Sequence, residues 1–108
     1  MTTQAQQLHA LLQRLQSAMQ ECDLWATKPP APEAFMSTEP FCVDTMGFSE
    51  WLQWVFIGRL HALIEANSAL PSGSSVAALA EELWKEQPRE TRLLVPVLEQ
   101  IDACLNGQ

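Results

Sequence analysis

The sequence predicts an all-α fold, a compact four-helix bundle with an additional short helix after a proline-rich connector. Three observations carry that expectation. Apolar residues recur at i, i+3, i+4 and i+7 in several long segments, the spacing of one helix face. No segment alternates with the period of two that a half-buried strand needs. Proline clusters punctuate the chain between the periodic stretches. At 108 residues and 47% hydrophobic content, residues 1–108 read as a single helical domain that builds its core without staples.

The first helix is expected from about Thr3 to Asp23, with Leu8, Leu11, Leu12, Leu15, Met19 and Cys22 on one face. Thr2 or Thr3 supplies its cap. Lys28-Pro29-Pro30-Ala31-Pro32 cannot continue a helix and forms a semi-rigid connector. Pro32-Glu33-Ala34-Phe35 then opens a short helix that ends by Ser37-Thr38, with Phe35 and Phe41 anchoring the excursion onto the central helix.

The central helix starts at Gly47 or Ser49 and runs to about Ala66, where Asn67, Ser68 and Pro71 end it. At roughly 100° per residue it shows two apolar sectors rather than one. Phe48, Trp51, Leu52, Val55, Phe56, Ala62 and Leu63 form the broad face, and Ile57, Leu60 and Ile64 a second stripe. What is left is a narrow polar strip of Glu50, His61 and Glu65, with Trp54 inside it. The same wheel turns Arg59 into the broad face beside Phe48, Leu52 and Leu63. A guanidinium there either pairs with Asp44, the nearest acid in sequence, or snorkels along its stem to water.

After a turn at Leu70-Pro71-Ser72-Gly73, a helix is expected over about Val76 to Glu86, capped by Ser74 or Ser75. Val76, Leu79, Ala80, Leu83 and Trp84 face inward, and Glu81 and Lys85 form an i,i+4 pair. The last helix begins at Pro88, buries Leu94, Val97, Leu98, Ile101 and Leu105, and ends at Asn106-Gly107. Pro96 removes a helix hydrogen bond at about 3 kcal/mol, which predicts a kink there or a break just before it.

The central stretch resembles the YqcC-like family, small bacterial proteins without an assigned activity. The resemblance rests on Ser37-Thr38-Glu39-Pro40-Phe41, Asp44-Thr45-Met46, Trp51-Leu52-Gln53-Trp54-Val55 and Arg59, with Leu70-Pro71 and Leu98 to Leu105 in support. Relatives often carry Pro where this chain has Gly58, which implies a bend. Genes of such proteins often lie beside one for a tRNA pseudouridine synthase. The resemblance therefore implies an accessory role in RNA modification.

Charge and motifs narrow the function further. Thirteen acidic residues against six basic give a net charge of -7, which disfavours direct nucleic-acid binding and suits a basic protein partner, such as an RNA-modifying enzyme. No phosphate loop, nucleophile elbow or zinc helix is present, so no catalytic residue, cofactor or metal site is expected. Cys22, Cys42 and Cys104 have no CxxC spacing. No membrane span or signal peptide is read, and the expected compartment is the cytoplasm. The expected activity is that of a non-enzymatic protein-interaction domain with Trp54, Glu50 and His61 as the partner surface. The alternative is a small-ligand bundle in which the polar cluster of Asp44, Thr45 and Arg59 anchors an anionic group.

Overall fold

The computed structural model describes residues 3–39, 42 and 44–107. Helix α1 spans Gln4–Glu21, a short 3₁₀ helix spans Pro32–Met36, α3 spans Val76–Leu83 and α4 spans Pro88–Leu105. The central helix, α2, consists of three abutting pieces: an α turn Phe48–Trp51, a π segment Leu52–Ile57 and a regular stretch Gly58–Glu65. No strand occurs among the described residues. The architecture is the expected one, four helices and a short fifth after the prolines.

Helix ends follow from their local chemistry. Thr3 and Gln6 form a reciprocal capping box, the Thr3 hydroxyl accepting from the Gln6 N–H at 3.1 Å and the Gln6 side chain from the Thr3 N–H at 3.0 Å. Thr2, the other expected cap, lies outside the described residues. Asp23 and Asn67 take the left-handed conformation just past α1 and α2, with φ of 58° and 53°. The N–H of the next residue then reaches back, Leu24 to the Met19 carbonyl and Ser68 to that of Leu63. Both are Schellman closures that satisfy orphan carbonyls.

Helices α1 and α4 pack along each other, and α3 packs on α4. Leu8, Leu12, Leu15 and Met19 of α1, Leu52 and Leu60 of α2, and Leu94, Leu98 and Ile101 of α4 are the largest fully buried side chains. Each contributes about 1.5–3 kcal/mol of apolar burial. Cys22 and Cys104 are buried free thiols, as their positions on apolar faces predict. Burial raises the pKa of both; at Cys22 the Arg89 charge opposes that shift and the neighbouring acids Glu90, Glu21 and Asp23 reinforce it.

Several local expectations are corrected. Neither Ser74 nor Ser75 caps α3. Asp102 does so from across the bundle, accepting from the N–H groups of Val76 at 3.1 Å and Ala77 at 2.9 Å and from the Ser74 hydroxyl. One turn further along α4, the Asn106 amide grips the Ser74 backbone at both ends, 2.9 Å from its N–H and 3.0 Å from its carbonyl. Helix α3 stops at Leu83, which is exposed rather than inward, while Trp84 behind it is buried. Lys85 pairs with Glu82 at 3.2 Å, not with Glu81, and the exposure of both makes that pair nearly neutral in stability.

Pro96 does not break α4, which runs through it. Both Pro96 and Arg92, whose carbonyl loses its i+4 donor, lie on the exposed side. Water can replace the missing partner there, so the helix tolerates the proline.

Candidate functional site

The site is built where α2 leaves regular helix. Wider i→i+5 turns hold about one residue more than α turns, so a π segment sets everything after it back by roughly 100°. That shift corrects the place of Arg59. On a single helical wheel Arg59 falls about 20° from Phe48; in the structure it is exposed, while Leu52, Phe56, Ile57 and Leu60 hold the buried face. Among the described residues no ion pair joins Arg59 to Asp44, so the water-reaching alternative for the guanidinium is the one the fold adopts.

The same shift creates a row. Trp51, Val55 and Arg59 are four residues apart and would drift about 40° per step on an α-helix. Across the π segment they line one groove of about 640 Å³, together with Trp54. Its opposite wall comes from the short 3₁₀ helix and the loop after it, through Phe35, Ser37, Glu39 and Cys42. Phe35 keeps 40% of its surface exposed, so the groove is open on that side. Phe35 thus faces the central helix as expected but anchors it only loosely; Phe41, its expected companion, lies outside the described residues.

Asp44 and Thr45 brace this wall instead of meeting Arg59. The Ser37 hydroxyl donates to the Asp44 carboxylate at 2.5 Å. The Thr45 hydroxyl donates to the Ala34 carbonyl at 2.7 Å and approaches that of Cys42 at 3.3 Å. These bonds tie the 3₁₀ helix to the loop that precedes α2. The polar cluster of Asp44, Thr45 and Arg59 is therefore split, two members holding the frame and the third lining the opening.

The three partner-surface candidates take different roles. Glu50 is spent locally, its carboxylate accepting from the Gly47 N–H at 2.9 Å across the first turn of α2. His61 is half-buried and meets His9 of α1 edge to face, ring centroids 5.5 Å apart. Trp54 is half-buried between two grooves, the one described above and a second of about 570 Å³ that it shares with Trp25, Gln53, Gly58 and His61. Its indole Nε1 is shielded from water and has no hydrogen-bond partner among the described residues. Such a group ordinarily costs about 1–3 kcal/mol.

Gln53 is the neighbour of Trp54 that helical periodicity does not single out. It is the buried polar residue of the core, and its amide grips the Ala26 backbone, accepting from the N–H and donating to the carbonyl, both at 2.8 Å. That pair of hydrogen bonds seats the start of the connector beside Trp54 and closes one side of the second groove. A glutamine flanked by Leu52 and Trp54 in an apolar helix is the available signal, because a buried amide requires partners.

A family model described as DUF446, tRNA pseudouridine synthase C, matches residues 7–104. The chain belongs to the YqcC-like family. Its fold is that of the solution NMR structure of protein YqcC from E. coli, with a TM-score of 0.86 at 36% identity, covering 97% of this chain and 90% of that one. An uncharacterized protein of Haemophilus influenzae is 51% identical over 87 residues, 81% of this chain and 82% of the relative. A protein of Pectobacterium carotovorum named tRNA pseudouridine synthase C is 42% identical over 78 residues. That match takes in 72% of this chain but only 21% of the longer relative. No described helix is long and apolar enough to cross a membrane.

Proposed function

We propose that this YqcC-like chain is a non-enzymatic accessory domain that docks onto a protein partner, an RNA-modifying enzyme of the tRNA pseudouridine synthase C kind. The observation that carries the reading is the Pectobacterium relative, in which a unit similar to this chain accounts for 21% of a longer polypeptide bearing that name. Covalent joining of two units keeps them in contact at high effective concentration, and separate chains achieve the same by docking. The open groove beside Trp54 supplies a surface, since Trp is enriched among the residues that dominate interface energy.

The net charge of -7 suits a partner that is basic because it handles RNA, and it disfavours RNA contact by this chain itself. Mixing the purified chain with a purified tRNA pseudouridine synthase C, and following co-elution with light scattering, tests the reading. A complex that weakens as salt slows encounter is expected. Separate elution at low salt, or tight binding of tRNA by this chain alone at physiological salt, would end it. A second reading, an acid-headed small ligand anchored by Arg59, draws on the place of Arg59 in the groove wall; native mass spectrometry showing a copurified ligand would favour it.

A further inference from the structure

The row on α2 has an order as well as a direction. Trp51 and Val55 come first and Arg59 last, so the wall that α2 gives the groove is apolar at one end and cationic at the other. One helical turn, about 5–6 Å, separates Val55 from Arg59. Two residues of an extended chain span about 6–7 Å.

Arg59 is also notable for what it does not meet. The chain has thirteen acidic residues against six basic ones, and Glu39 lines the same groove. Yet the ion pair found among the described residues is Lys85 with Glu82, far along the chain. Asp44, the other acid of this wall, is engaged by Ser37. Among the described residues no acid pairs with the guanidinium, which is thus open to an outside acceptor. An apolar side chain seated on Trp51 and Val55 would also dry the space beside Arg59, and a dry charge requires a partner.

We propose that this groove receives a short extended segment of the partner carrying an apolar side chain and, two residues along, a carboxylate that pairs with Arg59. This rests on the docking reading above and adds the chemistry of the recognised segment. The partner is basic as a whole and acidic at this one point. Long-range charge then governs encounter, while the local pair selects the segment. A segment with an amide in place of the carboxylate keeps the apolar contact and loses the charge-assisted bond.

Two capped peptides probe this directly: acetyl-Gly-Phe-Gly-Asp-Gly-amide and its counterpart with Asn for Asp. Added to the full-length labelled chain, the Asp peptide should shift the NMR signals of the Trp54 indole N–H and the Arg59 side chain. The Asn peptide should bind about tenfold more weakly, equivalent to about 1.4 kcal/mol. Arg59→Gln, a change at an exposed position, should bring the two peptides to equal affinity. Equal affinity of both peptides for the parent chain would overturn the proposal. So would sodium acetate or a short oligouridine moving the same signals as strongly as the Asp peptide, the first indicating a simple anion site and the second an RNA site. The companion measurement uses the purified synthase. If the synthase co-elutes equally with the parent and Arg59→Gln, docking stands and the groove proposal falls. If the peptides discriminate but the synthase does not co-elute, the groove proposal stands and the named partner is wrong.

Discussion

Two polar regions of this molecule are built on opposite terms. Where α3 meets α4, the Asp102 carboxylate and the Asn106 amide together engage the Ser74 hydroxyl, both backbone polar groups of Ser74, and the N–H groups of Val76 and Ala77. At the groove on α2, the indole N–H of Trp54 has no partner and Arg59 no ion pair among the described residues. Closing every donor and acceptor stabilises a junction and leaves nothing for another molecule to bind. Open groups weaken the fold locally and retain the capacity to recognise. In a chain this small, the closed and the open polar groups are separated in space.

Breaking the closed junction should have the largest effect. Asp102→Ala removes three accepted hydrogen bonds, including the cap of α3, and should cost about 2–3 kcal/mol in urea unfolding. Ser75→Ala, at the formal cap position without a side-chain bond, should be close to neutral. If the two mutants unfold alike, the Asp102 cap is not what holds α3. Next comes Gln53→Leu, which leaves the Ala26 N–H and carbonyl without their amide and should cost about 2 kcal/mol.

The open region should respond differently. Arg59→Met and Asp44→Ala should each stay within about 1 kcal/mol of the parent, the latter losing only the Ser37 bond. A strongly destabilised Asp44→Ala would mean that Asp44 neutralises Arg59 after all. Smaller still, Gly58→Ala should stabilise by about 0.5–1 kcal/mol, because Gly58 is helical at φ -59° and an added Cβ meets nothing within 4 Å. The buried thiols give a pH signature. Burial raises the Cys22 and Cys104 pKa in the folded chain, so the native state keeps protons that the unfolded chain loses. Stability should be flat below the ordinary thiol value of 9.0 and fall as pH rises beyond it, in urea titrations across that range.

Much of the fold was legible because helix faces and proline breaks are local signals. The stripe of α1, the Pro32 and Pro88 starts and the Asn67 stop all appear in the structure where the pattern put them. The site was less legible for a specific reason. One period cannot describe α2, and the wheel carried an α phase past Leu52 into residues that follow a π segment. Trp54 came out half-buried near its expected strip, whereas Arg59 came out on the wrong side. The caps from Asp102 and Asn106 lie 25 to 32 residues from what they hold, beyond the reach of any local rule.

The π segment makes α2 behave like a vernier, two scales joined with one division of offset. Removing a single residue between 52 and 57 would let the hydrogen bonds return to their usual spacing and merge the scales. The helix would gain regularity, and because the lost residue is the one the wider turn had absorbed, every later side chain, the guanidinium included, would keep its place on the helix surface. A one-residue deletion here should therefore be far better tolerated than one in the regular stretch Gly58–Glu65, which would turn the residues after it by about 100°.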